Sequence, residues 1–235
     1  MALNWTTTDQ SAIEAGIKML IWGDSGAGKT RLAGTLDPAT TLILSAENGL
    51  LSLAQHKIHA LRIDNVQDLA DAFAYCQSPA AANVKNVVLD SLTEIGEQVL
   101  VNAKKLVKDP RQAYGELIEK VMDLAKKFRG LEGKNVIFLC KLERFQDTAS
   151  GVTMFGPSMP GKSVGPQLPY LFDEVFKIDS AVHPETKEKY HFLQTGKDAQ
   201  NVCKDRSGAL AMYEPADLNH ILSKIIPSTT PTTGA

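Results

Sequence analysis

What the chain lacks narrows its reading first. Three cysteines occur in 235 residues, Cys76, Cys140 and Cys203. They lie far apart with no CxxC or Cys/His spacing, which argues against a zinc framework or a disulfide scaffold and reads as reduced core thiols in a cytosolic protein. His183 and His191 have no partners at metal-ligand spacing and read as surface or internally satisfied side chains. No apolar run approaches the roughly 18 residues that would cross a membrane. Residues 1–10 are polar, without a basic stretch followed by an apolar one, so no export signal is read and a cytoplasmic location is expected. Excess charge is also missing: the formal net charge is −2. That balance argues against coating nucleic acid with the whole surface, although a local basic channel would not show in the sum. No internal repeat is visible. What remains is an ordinary globular mixture, 43% hydrophobic and 22% charged, of a length that suits one large domain with short appendages.

One stretch organises the rest. Residues 23–30 read GDSGAGKT, follow the apolar run 17–22, and precede a segment, 29–36, with helical character. The stretch fits GxxxxGK[ST] at every fixed position in a strand, loop, helix context. A phosphate chain must be met by several backbone N–H groups at once, and glycine lets the backbone curl closely enough to do so. Gly23, Gly26 and Gly28 are read as supplying that freedom, with Asp24, Ser25, Ala27 and the following Arg31 completing the candidate nucleotide-binding set. Lys29 is placed to reach the β- and γ-phosphates of ATP, and Thr30 to put its hydroxyl on Mg²⁺.

Two further strands are read as delivering acids to the same edge. Residues 40–44 are apolar and end in SAENG, which places Glu47 where ligands sit in open α/β sheets. Residues 86–90, NVVLD, form an apolar strand ending in Asp90, the pattern that holds Mg²⁺ beside Thr30. The spacing predicts a strand over 58–63, a helix over 66–77 capped by Asp64 or Asn65, helices over 92–107 and 111–128, and a strand over 135–140 ending at Lys141. Residues 145–170 are rich in Gly, Pro and Ser with Arg144 and Lys162 at hand, and read as a functional loop. Strands return over 174–179 and 190–195, joined by a hairpin turn, and a terminal helix covers 215–226. The domain division is an arm, 1–16, whose Trp5 is read first as packing on the core, with covering a nucleotide base or reaching a neighbouring subunit as the alternatives, a core domain, 17–226, and a disordered Pro/Thr tail, 227–235.

Taken together, GDSGAGKT, ILSAENGL, VVLDS, the proline-glycine stretch before LFDEVFKID, and CKDRSG resemble the RecA-like branch of P-loop ATPases. More narrowly they resemble the small phage ATPases of the Sak type, which act in single-strand annealing and recombination. The resemblance covers nearly the whole chain. It implies an α/β fold with a mostly parallel central sheet flanked by helices, in which strand 135–140 lies between the strands carrying GDSGAGKT and Asp90. It implies Glu47 as the base that activates water, Lys141 as the nearest candidate to sense the γ-phosphate, and Lys204 and Arg206 as cations offered to a neighbour's nucleotide. It also implies single-stranded DNA as a partner, self-association into a ring or filament with composite ATP sites, a single-strand-binding protein as a possible associate, and the host cytoplasm as location. The rival readings are a nucleotide-gated assembly or scaffold ATPase without direct DNA binding, and a kinase-like phosphotransferase.

Overall fold

The apolar runs become strands buried on both faces. Strands β1 (Lys18–Gly23), β2 (Thr41–Ser45) and β4 (Asn86–Asp90) are buried at every position, as a parallel sheet covered by helices requires. A computed structural model of the chain describes residues 5–47, 49–147, 150–161 and 163–226. With β3 (His59–Arg62), β5 (Asn135–Gln146), β7 (Glu174–Val182), β8 (Lys189–Gln194) and β10 (Tyr213–Pro215), these strands form one sheet in the order β10-β8-β7-β1-β5-β4-β2-β3. All neighbours from β7 to β3 are parallel, whereas β8 and β10 are antiparallel additions at one edge. Strand β5 does lie between β1 and β4, in register Val136 opposite Lys18 and Val87. The architecture is therefore mixed α/β with a mostly parallel central sheet flanked by helices.

Period-two alternation sends successive side chains to opposite faces. Leu20, Trp22, Leu44, Leu89 and Phe138 share one core with α3 (Val66–Gln77), α4 (Leu92–Leu106) and α5 (Pro110–Arg129). Met19, Ile21, Ile43, Val88 and Leu139 share the other with α2 (Lys29–Ala33) and α6 (Leu218–Ile225). Each long helix starts on a side-chain cap that satisfies otherwise orphaned N–H groups. Asn65 and Asp68 form a capping box on α3, Ser91 caps α4, and Asp109 caps α5 with Pro110 at its first position. The stripe Ala113, Leu117, Val121, Ala125 and Phe128 is fully buried, and Lys126, Lys127 and Arg129 fill the last turn of α5, where cations suit the helix dipole.

Three expectations need correction. The arm holds a helix, α1 (Thr8–Ala15), but Trp5 is 89% exposed rather than in the core; the helix, TDQSAIEA, offers little apolar surface to dock it. Helix α2 stops at Ala33, capped by Gly34, instead of running to residue 36. The stretch after Arg144 is not an aperiodic loop. Strand β5 runs on to Gln146 and folds back as β6 (Thr153–Pro157), with Leu142 opposite Pro157 and Gln146 opposite Thr153. Beyond it Met159, Val164, Leu168 and Phe172 are buried in the first core. Val164, Leu168 and Phe172 recur every four residues, but Gly165, Pro166 and Pro169 between them argue against a helix, so the packing was not visible in the sequence. Lys162 and the tail 227–235 lie outside the described residues. Among the described residues no helix is long and apolar enough to cross a membrane.

Candidate active site

The carboxyl ends of β1, β2, β4 and β5 meet at one edge of the sheet, and each delivers a chemical group there. Strand β1 runs directly into the loop. Gly26 and Gly28 adopt φ of 73° and 98°, a left-handed conformation in which L side chains are strained. Gly23 is needed for a different reason from the one expected: a Cβ there would come within 2.6 Å of the Ile178 carbonyl oxygen, so it permits close packing of β1 on β7. Lys29 turns back over the loop, its Nζ donating to the carbonyls of Gly23 at 2.9 Å and Asp24 at 2.8 Å. Burial holds its ammonium below the ordinary lysine range, against the opposing charges of Glu47, Asp90 and Asp24.

Asp90 is 2% exposed. Thr30 Oγ1 donates to its Oδ2 at 2.6 Å, while Oδ1 has no hydrogen-bond partner among the described residues. Burial raises its carboxyl above the ordinary value; the Thr30 bond opposes this, Glu47 adds to it, and Lys29 opposes it. The end of β2 is tied to this acid, because the N–H groups of Ala46 and Glu47 both donate to the Asp90 carbonyl, at 2.7 and 3.2 Å. Ser91 Oγ donates to Glu47 Oε1 and so fixes the direction of that carboxylate. The Asp90–Ser91 peptide is cis. Beneath them the Cys140 thiol is fully buried and pushed up to about 12 by that burial.

A hydroxyl beside a buried carboxylate with a free oxygen is a hard-donor pair suited to Mg²⁺, which is bound in such sites by one or two protein oxygens and the phosphates of its substrate. Among the described residues no group of three or more His, Cys, Asp or Glu side chains could hold a metal by itself. Thr30 and Asp90 are the residues that fit. Alongside the loop lies a cleft of about 470 Å³, lined among others by Gly28, Arg31, Thr35, His56, Tyr190 and Pro215.

Not every candidate joins this set. Lys141 is at the correct strand end, opposite Gly23, but its Nζ is engaged by Glu94 at 2.9 Å and Glu97 at 3.4 Å on α4. Burial works to lower its ammonium, and the bonds and charges of those two acids outweigh it and raise it. Lys204 and Arg206 lie away from this set and make contacts within their own chain, with Arg206 exposed. Lys204 and Asp205 form β9, paired with the start of β7, where Glu174 lies opposite Met19 of β1. That register is four residues, roughly 13 Å, below Gly23. Lys204 Nζ donates to the carbonyls of Pro169 and Phe172, and Arg206 Nη1 to Asp173 Oδ1 at 2.8 Å. Both cations anchor their own chain, because the segment before β7 places bare carbonyls and a carboxylate beside them. The sequence reading missed His191, whose Nδ1 lies 2.9 Å from the Ala27 carbonyl oxygen. A lone histidine in a strand carried no signal of that contact.

A protein-family model described as an AAA domain, AAA_24, matches residues 15–207. No curated protein matches the chain. Among solved structures it is similar to a KaiC-like protein from the hyperthermophilic archaeon Pyrococcus horikoshii OT3, at 15% identity over 77% of each chain with a TM-score of 0.47. It is also similar to the RadB recombinase, at 14% identity over 77% of this chain and 81% of that one, with a TM-score of 0.44.

Proposed function

We propose a function for a chain that belongs to the AAA_24 family of AAA domains: it binds ATP with Mg²⁺, hydrolyses it to ADP and phosphate, and uses that cycle to hold and release single-stranded DNA during annealing or recombination. One observation carries the ATPase reading. Lys29, Thr30, Glu47 and Asp90 come from three strand ends to one point, and the buried Asp90 is left with an oxygen that no donor among the described residues satisfies.

In this reading the loop N–H groups cradle the phosphates, and Lys29 exchanges the Gly23 and Asp24 carbonyls for phosphate oxygens. Thr30 and Asp90 would hold the metal, which would supply charge to offset that on the β- and γ-phosphates. Glu47, aimed by Ser91, accepts the proton of the attacking water, and does not compete for the metal because Asp90 occupies that position. The cleft beside Gly28 and Arg31 has room for the nucleoside. The DNA part of the proposal is supported by the tip of the β5–β6 hairpin, where Arg144, Phe145 and Gln146 are exposed on the strand that leaves the nucleotide edge. A cation for phosphate and an aromatic face for a base are what sequence-tolerant strand binding uses.

Calorimetric titration with ATP and Mg²⁺ tests the nucleotide site. Lys29→Ala removes the ammonium aimed into the loop and is expected to abolish measurable binding. Wild-type affinity in a folded Lys29→Ala protein would contradict the assignment.

A further inference from the structure

His191 stands on β8, outside every motif, yet it touches the centre of the phosphate loop. Its Nδ1 is 2.9 Å from the Ala27 carbonyl oxygen. Its ring lies against Gly28 so closely that a Cβ on Gly28 would come within 3.1 Å of Nδ1 and 3.3 Å of Cε1. A carbonyl only accepts, so Nδ1 must carry the hydrogen. The carbonyl and the N–H of one trans peptide lie in a common plane and point in opposite directions across the chain. Holding the Ala27 carbonyl outward on His191 therefore turns the Gly28 N–H toward the other side of the loop. Gly28, at φ 98°, has no side chain to resist rotation of that peptide, so the restraint has to come from elsewhere. His191 is itself held: it pairs with Ser180 of β7, and its carbonyl accepts the Ala216 N–H at 3.4 Å.

We propose that His191 is a positioning residue for phosphate binding, which locks the Ala27–Gly28 peptide with its N–H aimed at the nucleotide's phosphates. This rests on the ATP reading of the loop. It also makes β8, an antiparallel addition to the sheet edge, part of the nucleotide site.

The test compares wild type, His191→Leu and His191→Asn by titration with a fluorescent ADP, beside steady-state ATP hydrolysis. Leucine removes the donor. Asparagine keeps an N–H close to the position of Nδ1. One hydrogen bond of ordinary strength predicts about five- to tenfold weaker ADP binding in His191→Leu, a KM for ATP raised more than kcat is lowered, and recovery to within about twofold in His191→Asn. Equal binding by wild type and His191→Leu, or His191→Asn as weak as His191→Leu, overturns the proposal while leaving the ATP reading intact. A wild type that binds no ADP removes the ATP reading and this inference with it. Should His191→Leu fail to fold, ring nitrogen NMR of the wild type decides: a hydrogen on Nδ1 supports the proposal, and one on Nε2 alone overturns it.

Discussion

At the scale of single residues, buried charge separates the two ends of the sheet. Glu174 is 1% exposed at the start of β7, its Oε2 has no hydrogen-bond partner among the described residues, and its carboxyl is pushed up to about 7 by burial and by the neighbouring Asp205. A carboxyl whose folded value lies above its unfolded one favours the fold fully below the unfolded value, here 4.5, and that contribution is lost as the pH rises toward 7. The shift corresponds to on the order of 3 kcal/mol. Urea denaturation of wild type and Glu174→Gln across pH 4 to 8 should therefore show the variant gaining relative stability over that interval. A constant difference would mean that Glu174 titrates alike in the folded and the unfolded chain. Lys18 is the basic counterpart: its Nζ donates to the carbonyls of Ala15, Leu131 and Lys134, and burial brings its ammonium down to about 8. Both groups sit at the strand starts, away from the nucleotide site proposed at the strand ends.

At the scale of elements, the β5–β6 hairpin is where the account of DNA stands or falls. Strand β5 is buried from Val136 to Cys140 and exposed at Arg144, Phe145 and Gln146. The same strand thus begins in the core and ends in solvent. Replacing Arg144 and Phe145 together by alanine should weaken single-stranded DNA binding by about tenfold or more and flatten its salt dependence, with ATP affinity unchanged. Equal oligonucleotide affinity and salt slope in the double variant would remove the hairpin from the binding surface. If the wild type binds no oligonucleotide at low salt with ATP present, the nucleotide-gated assembly reading replaces the DNA one. What was legible in the sequence at this scale follows a rule: GDSGAGKT, Glu47 and Asp90 each lie within a few residues of an apolar strand, so a local pattern sufficed to place them. Cap choice on α3 and the buried stripe of α5 were local too. The hairpin, the packing of Met159 and Phe172, the close approach of Gly23 to β7, and the engagement of Lys141, Lys204 and Arg206 all depend on which strands are neighbours. Strand order is set by contacts distant in sequence, and residue spacing does not encode it.

At the scale of the molecule, the sheet sorts its functions along one axis. Strand starts hold Lys18, Glu174, Lys204 and Arg206 in contacts internal to the chain. Strand ends gather Lys29, Thr30, Glu47 and Asp90, with His191 approaching the loop from the antiparallel edge. That convergence from separate elements is the central claim, and it separates binding from hydrolysis in a way one variant can expose. Glu47→Gln keeps the shape that Ser91 bonds to and removes only the capacity to accept a proton. Parallel measurement of ATP affinity and turnover in this variant is the most direct test. The account predicts ATP binding retained and turnover reduced by on the order of 10²-fold or more; unchanged turnover in Glu47→Gln would contradict it.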